Sequence, residues 1–452
     1  MQQARDVAYF VSTLRRGRVG RAVMGSLTAA AAGQVLLVIS GVLVARALGP
    51  EARGSLALIV LVSGVLAQVG GLGLPTATAY FAAQGGRTAQ LVKLLVRPFV
   101  LQIVALSGFQ IIALLALERA FGPAFLTLGI ATLPALVAAM ATAYSLAILQ
   151  GHRRFAAFNL LRTLPGVIYC LAVAGLWVAH ALNLQTAVYA WTASVVSAAL
   201  ITTAALMQSG PSIGSSQSRP LRLRDLFSFG LKAYVGSLYP VESFRLDQLI
   251  VGIAFSPLAL GYYVVARAFS NLPTFISQSL GMVAYPEVAS IVDPRARRHW
   301  LWRFVSLSFA VSALAVAAIE LLLAWLIPVL FGPAFSQAVP LARVLLVGAL
   351  VRSVRRVLSE SLRGSGAPGA GTIAEVVSWL AALLLLGVFM ALEMGPMGVA
   401  AAFAGSEFAS VTTLLILERK QRNPYRSSDA ALAVPTAIDP ASLASASPEE
   451  QS

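Results

Sequence analysis

The chain has 452 residues, of which 58% are apolar and only 11% charged. Soluble globular domains carry about 25% charged residues, so a chain of mean hydropathy +0.80 is solvated mainly by lipid. Its formal charge of +15 lies in short clusters between apolar runs, which orients a membrane protein and argues against nucleic acid as a partner. One cysteine, Cys170, leaves no intrachain disulfide and no Cys-based zinc site. His152, His180 and His299 lie in or beside loops with no ligand spacing, so neither a metal nor a cofactor is expected.

In chain order, residues 1–23 carry Arg15, Arg16, Arg18 and Arg21 and place Val7, Phe10, Val11 and Leu14 on one helical face. This is either an interfacial helix on the inner leaflet or a solvated basic lead-in. The run Met24–Ala45 exceeds a typical signal-peptide core of about 7–15 residues and reads as an uncleaved first span. Hydropathy then predicts twelve spans near the ~20 residues that a bilayer core requires. They cover 24–45, 54–82, 95–117, 125–149, 155–179 and 185–207, then 224–254, 258–289, 301–327, 337–359, 370–392 and 396–417. The second and eighth are long enough to tilt or to extend beyond the membrane. The expected domains are the lead-in 1–23, an N-lobe 24–207, a Gly/Ser/Pro-rich cytoplasmic linker 208–223, a C-lobe 224–417 and a cytoplasmic tail 418–452. From 428 the tail is Ala-, Ser-, Pro- and Glu-rich and is expected to be disordered.

Charge alternation supports twelve spans with both termini inside. Segments then assigned outside hold only Arg46, Arg53 and Arg119, while Lys232, Arg245, Arg267 and Arg343 fall within spans. The remaining Lys and Arg sit inside. The two halves also repeat. FGPAF occurs at 121–125 and 331–335, Pro50 and Gly54 match Pro257 and Gly261, and LQG at 149–151 matches LRG at 362–364. An even number of spans per copy makes this a parallel repeat. GGLGLP at 70–75 is expected to interrupt the second span and Pro273 the eighth, either as packing kinks or around a cavity between the lobes.

The stretch FRLDQLIVGIAFSPLALGYYVVARAF at 244–269 places charges inside apolar runs. A charged group near a bilayer centre costs roughly 2.5–3.5 kcal/mol, so Glu242, Arg245, Asp247 and Arg267 must face protein or water. Arg245 and Arg267 lie equally far from Ser256 on opposite arms of a hairpin, hence at similar depth. Asp247 is placed to reach across to Arg267.

RALGPEARGSLALI, GLGLPTATAYFAA and RLDQLIVGIAFSPLALGYYVVARA resemble, in order and spacing, polysaccharide-type flippases. These belong to the multidrug/oligosaccharidyl-lipid/polysaccharide exporter superfamily, with O-antigen, teichoic-acid and capsule-repeat translocases among them. The resemblance spans roughly residues 24–420. It implies an all-α polytopic membrane protein: two pseudo-symmetric six-helix lobes around a cavity lined largely by the first, second, seventh and eighth helices. It implies a non-enzymatic activity, alternating-access transfer of a polyprenyl-diphosphate-linked oligosaccharide from inner to outer leaflet for cell-surface polysaccharide biosynthesis. The setting implied is a bacterial or archaeal plasma membrane with both termini cytoplasmic. Membrane lipids and glycosyltransferases or a polymerase of the same pathway are the candidate partners.

Lipid II flippases and multidrug antiporters are the alternative relatives. Many of the former have two further helices and a more arginine-rich first helix, where this chain has Gln34 as its main polar group. The antiporters line their first lobe with carboxylates, and here no Asp or Glu falls inside the first six spans. A membrane polymerase or glycosyltransferase needs catalytic groups on sizeable outer loops, and these are short.

For a diphosphate substrate the candidate cations are Arg245, Arg267 and Lys232, because a guanidinium fork binds two phosphate oxygens. Arg245 alternatively pairs with Glu242 one turn earlier. Asp247 is either a counter-charge or a proton- or sodium-coupling group, with Glu242 as a second counter-charge. Arg352, Arg355, Arg356 and Arg363 form either an inner vestibule for head-groups or a positive-inside anchor. Glu320, Arg343, Glu375 and Glu407 each stand alone in the sequence and receive no role.

Overall fold

A computed structural model describes residues 18–208, 222–237, 244–291, 293–367 and 369–421. The lead-in to residue 17, most of the linker, Glu242 and the tail from 422 onward lie outside the described residues. Among the described residues every regular element is a helix. The first half of the chain comprises α1 (Arg18–Gly70), α2 (Leu74–Ala83), α3 (Thr88–Phe121), α4 (Pro123–Ile130), α5 (Leu133–Gly151), α6 (Phe155–Val178) and α7 (Leu184–Gln208). The second comprises α8 (Leu223–Ser237), α9 (Leu246–Ala254), α10 (Pro257–Ser290), α11 (Pro294–Phe331), α12 (Ala338–Gly364), α13 (Gly369–Ala391) and α14 (Gly395–Gln421).

Eight of these helical stretches are long and apolar enough to cross a membrane. The predicted first and second spans are two arms of α1, joined at Gly49 (φ 72°, ψ 176°) before Pro50. The predicted seventh, eighth and tenth spans, on α8–α9, α10 and α12, fall outside the eight. They are the segments that carry Arg245, Asp247, Arg267, Arg352 and Arg355. α8 and α9 are each too short to qualify, and in α10 and α12 the charges lower the apolarity that marks a lipid-facing helix.

The second span breaks where expected. α1 ends at Gly70, and Gly73 with φ 70° starts α2. The break is satisfied within the protein: Gln102 Nε2 on α3 donates to the Gly70 carbonyl at 2.9 Å, and its Oε1 accepts from Tyr144 Oη at 2.7 Å. The expected break at Pro273 does not occur, since α10 is continuous from Pro257 to Ser290. Ser353 Oγ of α12 donates to the Pro273 carbonyl at 3.2 Å. On the seventh span, Arg245 takes a left-handed φ of 47° immediately before α9. An arginine in the left-handed region is uncommon.

The repeated motifs do the same structural work in both halves. Each FGPAF ends a helix with a glycine of positive φ, Gly122 at 83° and Gly332 at 102°, followed by proline at the start of the next element. Gly151 lies so close to α2 that a Cβ would sit 2.4 Å from the Ala79 carbonyl oxygen. At Gly364 it would sit 2.6 Å from that of Tyr285 on α10. Between the halves the matched glycines contact each other's prolines. A Cβ on Gly54 would lie 1.7 Å from the Pro257 oxygen, and one on Gly261 would lie 1.9 Å from the Pro50 oxygen. Reciprocal contact of matched residues is what a two-fold relation between duplicated halves produces.

Beside that crossing, Arg46 at the end of the first arm of α1 donates through Nε to the Leu330 carbonyl at 2.8 Å and through Nη2 to the Val329 carbonyl. It thereby caps the carbonyl end of α11 in the other half. At the opposite, basic end, α8 packs on α2: Gly230 meets Gly73, and the Tyr80 and Phe229 rings stack at 4.2 Å. α9 packs on α10, α14 and α1. α8 thus packs on the first half of the chain and α9 on both halves.

Candidate functional site

Between the two crossings lies a cavity of about 290 Å³. The first arm of α1 contributes Gln34 and Ser40, and the second contributes Arg53. Tyr169 comes from α6, Arg245 and Gln248 from the seventh span, Arg267, Asn271 and Thr274 from α10, and Arg352 from α12. Four arginines from four segments therefore converge on one space.

Their charges are not equally available. Arg267 Nη1 lies 2.8 Å from Asp247 Oδ2, and Tyr263 Oη donates to the same oxygen at 3.1 Å. Asp247 is 0% exposed, so this pair is a buried unit in which carboxylate and guanidinium neutralise each other. Arg352 Nε lies 2.7 Å from Glu407 Oε1, Arg355 Nε 2.7 Å from Glu407 Oε2, and Arg355 Nη1 2.6 Å from Glu375 Oε2. Two cations and two anions cancel there as well. Arg53 and Arg245 have no acidic partner among the described residues, and the Arg53 Nε is buried without a hydrogen-bond partner. Among the described residues, Arg53 and Arg245 are thus the lining arginines without an acidic partner, one from each half of the chain.

The sequence-derived candidates separate accordingly. Arg245 and Arg267 share the cavity, and Asp247 bonds Arg267 across the hairpin as its placement suggested. Lys232, on α8, is exposed and does not line the cavity. Arg355 is buried behind it, Arg356 is half-buried, and Arg363 is exposed with Glu360 at 3.4 Å. The acids and arginine that stood alone in the sequence are paired: Glu375 and Glu407 as above, and Glu320 with Arg343 at 3.5 Å. Their partners lie on neighbouring helices distant in sequence, which depth counting along one helix cannot reveal.

Arg53 escaped the sequence reading, which counted it as an outer-loop residue. A signal was present. It is one of three arginines on a side that the charge pattern otherwise leaves empty, and another of them, Arg46, also bonds the opposite half. In the first half, polar packing is neutral: Gln110 Nε2 donates to Ser63 Oγ at 2.9 Å and to Thr132 Oγ1 at 2.8 Å.

Removing one member of a buried ion pair costs about 3–5 kcal/mol, whereas removing both is often neutral. Asp247→Ala is therefore expected to lower the thermal unfolding temperature of the detergent-solubilised protein clearly. Asp247→Ala with Arg267→Leu should restore most of it. Equal melting of Asp247→Ala and the parent would mean that the pair does not stabilise the hairpin.

The family described as "Polysaccharide biosynthesis protein" matches residues 43–340. No curated protein matches the sequence. Among solved structures, the lipid II flippase MurJ in an inward closed conformation superposes with a TM-score of 0.69 at 15% identity, over 88% of this chain and 87% of that one. An inward-facing MATE family transporter of the MOP superfamily gives 0.66 at 16% identity, over 87% and 96%. A MOP superfamily transporter from Pyrococcus furiosus, whose binding pocket is described as having reverse polarity, gives 0.59 at 17% identity, over 91% and 98%. At these identities the likeness is one of fold.

Proposed function

Because the chain belongs to the polysaccharide biosynthesis protein family and has the fold of MOP-superfamily transporters, we propose that it carries a polyprenyl-diphosphate-linked oligosaccharide from the inner to the outer leaflet by alternating access. The observation that carries the reading is that Arg53 and Arg245, without an acidic partner among the described residues, face one cavity from the two halves. A diphosphate diester bears two negative charges, which two guanidiniums match in number and in bidentate geometry. At about 290 Å³ the cavity is at the lower end of ligand pockets, which run roughly 300–1,000 Å³. That suits a diphosphate with its first sugar, the prenyl tail staying in lipid.

In this reading the chain has twelve spans in two six-helix lobes. The FGPAF end faces outside and the basic end faces the cytoplasm, following the charge pattern. The crossing of Gly54 and Gly261 closes the cavity towards the outside, and the contact of α8 with α2 closes it towards the cytoplasm. Asp247 serves as the fixed counter-charge of Arg267. A drug-cation antiporter is disfavoured by the absence of Asp and Glu from the first six spans and by the arginines that line the cavity.

The test is translocation in proteoliposomes of a short polyprenyl-diphosphate oligosaccharide, followed by exposure of its sugar to an external glycosidase. Protein-dependent movement is expected for the diphosphate and not for a phosphocholine lipid of equal chain length. No acceleration, or equal transport of both lipids, would overturn the proposal.

A further inference from the structure

A second concave site lies on the basic end of the second half, remote from the central cavity. It is an open cleft of about 780 Å³ between the start of α11, the end of α12 and the end of α14. Arg295, Arg297, Arg298 and His299 line one wall, and Glu418 is the one acid among the lining residues. Leu301, Trp302 and Leu362 make an apolar floor, and Ser365 contributes a hydroxyl.

A positive-inside anchor needs only basic side chains free to move among head-groups. Here two of the guanidiniums are held in place. Arg298 Nε is 3.0 Å from Glu418 Oε1 on α14, and Arg297 Nε donates to the Ile291 carbonyl at 2.8 Å. Asp293 already occupies the first amides of α11, accepting from Arg295 N at 3.3 Å and Ala296 N at 2.8 Å. The cation field therefore comes from side chains and not from the helix end. With Arg298 beside Glu418, Arg295 stands on the cleft wall without an acidic partner among the described residues, next to the Arg297 guanidinium and the His299 ring. Trp300, with Arg303 over its ring at 5.0 Å, sits at the same height, where amphipathic rings mark the head-group level of a bilayer.

From this combination we infer that the cleft is a binding site for the phosphodiester head-group of an anionic lipid of the adjacent leaflet. Its guanidiniums receive the phosphate and the Leu301–Trp302–Leu362 floor takes the glycerol and first acyl carbons. Fixed guanidiniums lose little freedom on binding, so the site selects charge without waiting for loops to order. The shared chemistry, phosphate above an acyl or prenyl chain, also admits a lipid-linked diphosphate. Phospholipid is favoured because the cleft does not connect to the residues that line the central cavity.

The test uses the full chain purified in neutral detergent, titrated with dioctanoyl-phosphatidylglycerol, dioctanoyl-phosphatidylcholine or farnesyl diphosphate, with thermal unfolding and bound lipid in native mass spectrometry as readouts. The phosphatidylglycerol is expected to raise the unfolding temperature saturably and phosphatidylcholine is not. The double variant Arg295→Gln/His299→Gln, whose side chains make no ion pair, should weaken phosphatidylglycerol binding at least tenfold while keeping the unliganded unfolding temperature. Arg245→Ala should leave that binding unchanged. Farnesyl diphosphate binding more tightly than phosphatidylglycerol, and lost in the double variant, would make the carrier lipid the occupant and overturn the assignment to phospholipid. Equal effects of the two phospholipids, or unchanged binding by the double variant, would overturn the site itself.

Discussion

Arg245→Ala and Arg53→Ala are each expected to bring translocation of a diphosphate-linked saccharide close to background while the protein remains inserted at normal abundance. Both side chains face the cavity without an acidic partner among the described residues, so truncating either breaks no ion pair there. What is lost is a charge-assisted contact to the head-group, worth about 2–4 kcal/mol in comparable truncations, or roughly 30- to 1000-fold in affinity. Lysine at either position keeps the charge and loses the fork, so Arg245→Lys should fall only part of the way. Arg267→Ala differs in kind. It strands Asp247, which is 0% exposed, and should be read first as lost stability. The measurements are proteoliposome translocation and direct binding of the same lipid for each variant. Wild-type transport by both Arg245→Ala and Arg53→Ala would place the head-group elsewhere.

Gly54→Ala is expected to abolish transport by a different route. Its new methyl would lie 1.7 Å from the Pro257 oxygen, and in Gly261→Ala the methyl would lie 1.9 Å from the Pro50 oxygen. The clash is between a Cβ and backbone, so no rotamer relieves it, and the two halves must part at the FGPAF end. Inverting a two-state population from 99:1 to 1:99 needs only about 5.5 kcal/mol, and the overlap penalises the closed arrangement alone. The protein should then rest open at that end. A cysteine at Asn271, with Cys170 replaced by Ser, should react faster with an impermeant thiol reagent applied outside. Gly64→Ala is the control, because a Cβ there meets nothing within 4 Å. Unchanged labelling and transport in Gly54→Ala would show that the crossing does not close the cavity. Faster labelling only from the cytoplasmic side would reverse the orientation assigned to the chain.

Much of the helical layout was legible in the sequence because membrane spans are written locally. An apolar run of sufficient length has one way to satisfy its backbone in lipid, and each predicted span falls on helix among the described residues. The FGPAF, Pro-x-x-x-Gly and Leu-x-Gly repeats were legible for the same reason, since turn and close-packing residues act where they stand. Pro273 misled because a proline within a membrane helix is tolerated where its surroundings satisfy the backbone, and α10 runs through it unbroken.

The site divides along the same line. Arg245, Asp247 and Arg267 could be picked out by sequence alone, since a charge within an apolar run stands out and a hairpin sets two residues at equal depth. Which of those charges is spent and which is available was decided only by the tertiary structure. Asp247 cancels Arg267, Glu407 on α14 takes Arg352 from α12, and Arg53 turns inward from a segment that reads as loop. Coulombic pairing depends on distance in space and on the surrounding dielectric, and the separation of 55 positions from Arg352 to Glu407 carries information on neither.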